Sequence, residues 1–140
     1  MNKDVVIKIK TSQVDLKGTG DDMELVTKGE FYTKDDSMYI VYQETELSGM
    51  EGTTTMLKIS DDLLVMKRYG SNTSKMVFEK GKRFKTRYRT SQGDLSMEIL
   101  TNYVDISMNE DESKIDIDLV YDINIAGIFE GKNKMNISIS

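Results

Sequence analysis

From Ile115 to Ile125 every second residue is apolar. Ile115, Ile117, Leu119, Tyr121, Ile123 and Ile125 alternate with Asp116, Asp118, Asp122 and Asn124, and Val120 is the one apolar residue on the polar side. A period of two is that of a β-strand, whose successive side chains point to opposite faces. The same pattern recurs through the chain. Val5, Ile7 and Ile9 alternate with Lys8 and Lys10; Met38, Ile40 and Tyr42 share one face against Tyr39, Val41 and Gln43; Met135, Ile137 and Ile139 oppose Asn136, Ser138 and Ser140.

Between these runs lie clusters of Gly, Asp, Asn and Ser, which tolerate the dihedrals of tight turns. They fall at 18–22, 34–37, 48–52, 60–62, 70–72, 79–81, 91–94, 109–113 and 127–133. They divide the chain into eight to ten strands, most joined by short connections. No stretch holds a 3.6-residue period long enough for a helix, although residues 61–66 admit a short helical turn. Sequential hairpins without crossover helices predict an all-β fold: a single antiparallel up-and-down β-barrel of eight to ten strands over residues 1–140. Closure would also remove the exposed strand edges that invite aggregation.

What the chain omits bounds its chemistry. Its 140 residues contain no His, Cys, Trp or Pro. Nucleophilic triads and dyads built on His or Cys are therefore impossible, and no Ser-x-x-Lys motif replaces them. Zinc sites and disulfides are excluded on the same ground. The acidic stretch at 109–114 fails as a calcium loop because Lys114 stands where that loop needs Gly. No phosphate-binding glycine motif is present. The expectation is a protein with no catalytic residues, no metal and no cofactor. A domain of this size buries enough surface to fold without such staples. The net charge of −5 disfavours nucleic acid as a partner, since phosphate must be neutralised by cations. Charged residues interrupt positions 1–20, so no secretory h-region is formed. No stretch approaches the roughly 18 apolar residues of a membrane helix. A cytoplasmic location, away from membranes, is the corresponding expectation.

Three segments carry a family resemblance. The stretch from Tyr39 to Lys58, YIVYQETELSGMEGTTTMLK, is joined by Lys67-Arg-Tyr-Gly70 and by Tyr88-Arg-Thr-Ser-Gln-Gly93. In this order and spacing the chain resembles the YwiB-like family of small Gram-positive bacterial proteins, a domain of unknown function. The resemblance implies a calycin-type β-barrel, lipocalin-like in shape, with no assigned activity and so no catalytic residues to carry over. That family often reads Thr-Pro-x-Gly in the last segment, whereas here Ser91 follows Thr90, a change expected to alter a turn.

Two sets of residues are candidates for function. The first would line the barrel and bind a small, largely apolar molecule: Tyr39, Tyr42, Glu44, Arg68, Arg87 and Tyr88 for polar contacts, with Met38 and Met56 among a set of adaptable methionines that also includes Met66, Met97 and Met135. The second is a basic strip, Arg83, Lys85, Arg87 and Arg89, alternating with Phe84, Thr86 and Tyr88. Its functional meaning would be contact with an acidic partner or a second copy of the chain, making the protein an interaction module or homodimer. Its plainer meaning is a solvent face paired with acidic neighbours, for which Glu79, Glu98 and the aspartates of 116–122 are available.

Overall fold

The computed structural model describes residues 3–90, 93–110 and 113–140. The expected turns at 91–94 and 109–113 lie partly outside these residues. Ten strands form: β1 (Lys3–Asp15), β2 (Gly20–Lys34), β3 (Ser37–Gln43), β4 (Thr53–Ser60), β5 (Leu63–Gly70), β6 (Ser74–Phe78), β7 (Arg83–Thr90), β8 (Gly93–Met108), β9 (Ile115–Ile125) and β10 (Phe129–Ile139). A single 3₁₀ turn, Glu46–Ser48, separates β3 from β4.

The sheet runs β6-β5-β4-β3-β2-β1-β10-β9-β8-β7, every neighbouring pair antiparallel. The chain therefore meanders up and down, and its first and last strands pair along Ile7–Asp15 and Gly131–Ile139. The outer strands of the sheet are β6 and β7, joined by the turn at residues 79–82. They touch again at a two-hydrogen-bond bridge between Thr73 and Arg89. Between turn and bridge no ladder joins them among the described residues, so the barrel is nearly closed, with a slit along this seam.

Turn chemistry sets the hairpins. Lys34 faces Ser37 across Asp35 and Asp36, both with positive φ, the requirement of a two-residue hairpin whose twist suits its strands. Asp61, also at positive φ, opens a second two-residue turn between β4 and β5, in which only the first central residue takes that conformation. The helical turn expected over 61–66 is thus a hairpin, and Leu63 already pairs with Ser60. The last expected turn is also shorter than the sequence suggests, because Phe129–Asn133 already pair with β9. In β8 a bulge between Thr101 and Tyr103 shifts the register by one, which brings Val104 and Ile106 back to the inner face after Met97, Ile99 and Thr101.

Strand parity sorts the interior. Ile7, Ile40, Leu57, Leu64, Met66, Phe78, Ile99, Ile117 and Ile137 are fully sequestered, and one contiguous core spans every strand except β7, whose Tyr88 packs against its margin. Gly29 is needed where β1, β2 and β3 press together. A Cβ there would lie 2.7 Å from Ile7 Cδ1 and from the Val41 carbonyl oxygen. No helix among the described residues is long and apolar enough to cross a membrane.

Candidate functional site: a polar end inside the barrel

The apolar core stops short of one end of the barrel, and polar residues continue the inward faces from there. On β3 the inward series Ile40, Tyr42 ends on Glu44, just past the strand. On β4, Thr55 and Thr53 precede Leu57 and Ile59; on β5, Arg68 follows Leu64 and Met66; on β6, Ser74 precedes Met76 and Phe78. Because Tyr42 pairs with Thr55, Thr55 with Arg68 and Arg68 with Ser74, these four form one row across the sheet. A second row runs along β10, β9 and β8 as Asn133, Tyr121 and Thr101. Phe78 of β6 lies against Tyr121, with ring centroids 4.8 Å apart, and the charge of Arg68 in the first row is felt at Tyr121 in the second.

Glu44 is the centre of the first row. Its side chain is 1% exposed and that of Arg68 is 16% exposed. Thr55 Oγ1 donates to Glu44 Oε1 at 2.7 Å. Arg68 Nε stands 3.9 Å from the same oxygen, close enough for charge attraction and too far for a hydrogen bond. The Tyr42 phenol also lies against this carboxylate, and Glu44 Oε2 has no hydrogen-bond partner. Among the described residues, the buried side-chain atoms without a hydrogen-bond partner are Glu44 Oε2, Arg68 Nε, Asn133 Oδ1 and the hydroxyls of Thr11, Ser74 and Thr101. All belong to inward-facing residues. An unmet buried polar group costs about 1–3 kcal/mol, and more when charged, so a concentration of them calls for a cause such as strain, bound water or a functional role.

The two tyrosines buried in these rows, Tyr42 and Tyr121, keep their protons. Burial pushes the Tyr42 phenol far above its ordinary value, the charge and hydrogen bond of Glu44 push the same way, and Arg68 opposes them. Burial likewise raises Tyr121, against the hydrogen bond from Asn133 and the charge of Arg68. Asn133 Nδ2 donates to Tyr121 Oη at 3.2 Å, which leaves its carbonyl oxygen turned away without a partner.

The structure gathers some of the candidate lining residues and separates others. Tyr42, Glu44 and Arg68 come together in the buried cluster. Met38 and Tyr88 face inward and pack against the core. Tyr39, Met56 and Arg87 do not line the interior, because each is one residue out of phase with its inward neighbours. Tyr39 stacks on Tyr32 outside, 5.0 Å between centroids, with Lys58 Nζ 5.8 Å from its ring. Met56 lies opposite Val41 on the outer face, and Arg87 Nη1 donates to Ser96 Oγ at 3.3 Å. Met66 and Met97 are buried inside, and Met135 packs against the core.

The basic strip occupies the outer face of β7. Arg83 pairs with Glu98, and Arg89 Nε lies 3.4 Å from Asp94 Oδ1. Its acidic neighbours come from β8, which stands between the strip and the aspartates of β9. Those aspartates turn instead to β10 and β8: Asn136 Nδ2 donates to Asp118 at 2.8 Å, Ser138 Oγ to Asp116 at 3.0 Å, and Asn102 Nδ2 to Asp122 at 3.3 Å. A groove of about 810 Å³ also lies on the outer face, where Val14 and Leu16 meet Arg83, Glu98, Asp122 and Lys132. It holds charges of both signs and none of the unmet buried atoms.

Sequence reasoning by residue type missed Thr11, Thr53, Thr55, Ser74, Thr101 and Asn133. The signal was parity: each sits an even number of residues from buried apolar neighbours in its own strand.

Fold and site together define a class, the ten-stranded meander barrel with a buried polar end. The chain belongs to a family described as a domain of unknown function (DUF1934), whose model matches residues 7–137. It is 24% identical over 127 residues to the uncharacterized beta-barrel protein YwiB of Bacillus subtilis (strain 168), covering 91% of this chain and 87% of that protein. The crystal structure of the ywiB protein from Bacillus subtilis superimposes with a TM-score of 0.86 at 21% identity, over 99% of this chain and 92% of that one. The likeness establishes the fold.

Proposed function

We propose that the protein is a non-catalytic binding protein that takes a small molecule into the polar end of its barrel. The observation that carries this reading is Glu44: a carboxylate almost wholly removed from solvent, with one oxygen satisfied by Thr55 and the other bare. A wholly apolar ligand would leave that oxygen and its neighbours unmet. The small, largely apolar molecule expected from the sequence therefore gains a polar end, seated on Glu44 and Arg68. Its apolar body would have to displace side chains of the next row of the interior, Ile40, Leu57, Met66 and Met76, which are packed to between 0% and 5% exposure and which register places beside Tyr42, Thr55, Arg68 and Ser74. Two of those four are methionines, whose unbranched thioethers repack readily around varied shapes. Ten strands also enclose more width than the eight whose interior side chains fill on their own.

The alternative, an interaction module built on the basic strip, has less support. Arg83 and Arg89 are engaged within the chain by Glu98 and Asp94.

Native mass spectrometry on protein purified gently from its own host tests the reading. A bound mass that leaves on denaturation, and that is missing from the Glu44→Ala variant, is the expected result. A clean apo mass in both proteins, under conditions that preserve a known complex, counts against it.

A further inference from the structure

We propose that the ligand group seated between Glu44 and Arg68 is uncharged and hydroxyl-bearing, an alcohol or a vicinal diol, and neither a carboxylate nor an ammonium. This rests on the interior-binding reading above. Glu44 and Arg68 carry opposite charges 3.9 Å apart, so the site is neutral as a whole. Each keeps one unmet atom of opposite character: Glu44 Oε2 can only accept, and Arg68 Nε can only donate. An ammonium would satisfy Oε2 and be repelled by the guanidinium beside it. A carboxylate would satisfy Nε and be repelled by Oε2. Both conflicts occur where water is largely excluded and charges are poorly screened. A hydroxyl donates and accepts at once, so one such group, admitted by movement of the side chains that now close both atoms off from solvent, meets both without adding charge.

The remaining unmet atoms extend the match. Asn133 Oδ1 requires a donor, while the hydroxyls of Thr11, Ser74 and Thr101 turn to suit either partner. Tyr42 and Tyr121 keep their protons and add no charge that would change the balance. A diol supplies two donors and two acceptors within one small group, and so can reach from the Glu44–Arg68 pair toward these neighbours.

The test is a head-group series on one tail: decane-1,2-diol, decanoate and decylammonium, each titrated below its micelle concentration into the wild-type protein and followed by amide chemical shifts. The diol is expected to bind saturably, about tenfold or more tighter than either charged homologue, with shifts centred on Glu44, Arg68 and Asn133. Tighter binding of decanoate or decylammonium overturns the head-group assignment and leaves interior binding standing. No saturable binding by any of the three overturns both, the cluster then holding water alone. A second protein checks the cause: Glu44→Gln leaves the guanidinium charge uncompensated, so the preference should move toward decanoate by about tenfold. An unchanged preference in a variant with native near-ultraviolet circular dichroism would show that the pair does not set it.

Discussion

Glu44 gives one carboxylate oxygen to Thr55 and holds the other bare, and the residues around it can be separated by what each contributes. Thr55 is fully buried and donates at 2.7 Å. Thr55→Val keeps the shape and removes the 2.7 Å donor of Glu44 Oε1, leaving the carboxylate to Tyr42 and Arg68. The expected cost is about 1–3 kcal/mol in chemical denaturation; a neutral result would mean that water serves Glu44 equally well. Tyr42 contributes a pH dependence. Its phenol is raised in the folded protein, whereas in the unfolded chain it ionises near pH 10. Below about pH 10 both states hold the proton and stability is unaffected. Above it the unfolded chain releases a proton that the folded one retains, so stability falls as pH rises. Thermal unfolding of wild type and Tyr42→Phe between about pH 8 and 11 should therefore diverge in slope: the midpoint of the variant declines less steeply above pH 10. Equal slopes would show that Tyr42 ionises normally in the fold.

At the scale of the strand, parity explains both what the sequence makes legible and what it hides. The alternation of Ile115–Ile125 and of Val5–Ile9 marks inward faces that the structure keeps, residue for residue. The polar interior carries the same mark. Arg68 has the parity of Leu64 and Met66, Thr11 that of Ile7 and Ile9, Thr101 that of Met97 and Ile99. By type alone these residues look solvent-facing, and Asn133 lies in a Gly-bounded stretch that looks like a turn, so the cluster is visible only when parity outranks polarity. The seam is different. Ser74–Phe78 and Arg83–Thr90 alternate like fully paired strands, and nothing local distinguishes them. Their separation follows from how ten strands close around a core, a property no single segment encodes. The bridge at Thr73 and Arg89 uses both amides. With the period of two, the amides of Lys75, Val77, Lys85 and Arg87 point into the slit as well, with no ladder partner there, while those of Ser74 and Met76 point toward β5. Amide hydrogen exchange should reflect this: Lys75, Val77, Lys85 and Arg87 exchange at least about a hundredfold faster than the central amides of β9 and β10, whose strands are paired on both sides. Comparable protection would mean that the slit closes in solution.

For the whole molecule, the seam and the junction of the chain ends are two halves of one topology. Among the described residues, sequence neighbours pair everywhere except between β6 and β7, and the one ladder between strands distant in sequence is that of β1 with β10. Val6 and Ser140 exchange backbone hydrogen bonds of 2.8 and 3.0 Å, so the last described residue lies beside the first strand. Joining Ser140 to Lys3 through a short Gly/Ser linker, and opening the chain between Lys80 and Gly81, would give the strand order β7-β8-β9-β10-β1-β2-β3-β4-β5-β6. Every ladder would then connect sequence neighbours. The cut opens the turn across the slit, with its Lys82 N–H to Glu79 carbonyl bond and the Gly81 N–H to Thr101 carbonyl bond beside it, and no β6–β7 ladder is present there to lose. This permutant should fold with the same far-ultraviolet spectrum, retain stability within about 2 kcal/mol of the parent, and fold faster, since its longest loop closure has become local. A control opened between Asp61 and Asp62 breaks a tight hairpin and makes the β4–β5 ladder a contact between the two ends of the chain. It exchanges the distant β1–β10 ladder of the parent for a distant β4–β5 ladder of similar length, so it should fold at about the parent's rate and more slowly than the first permutant. If the first permutant were the slower or failed to fold, the turn at 79–82 would be organising the barrel, and the slit would be a held-open feature of the fold in place of an unpaired seam.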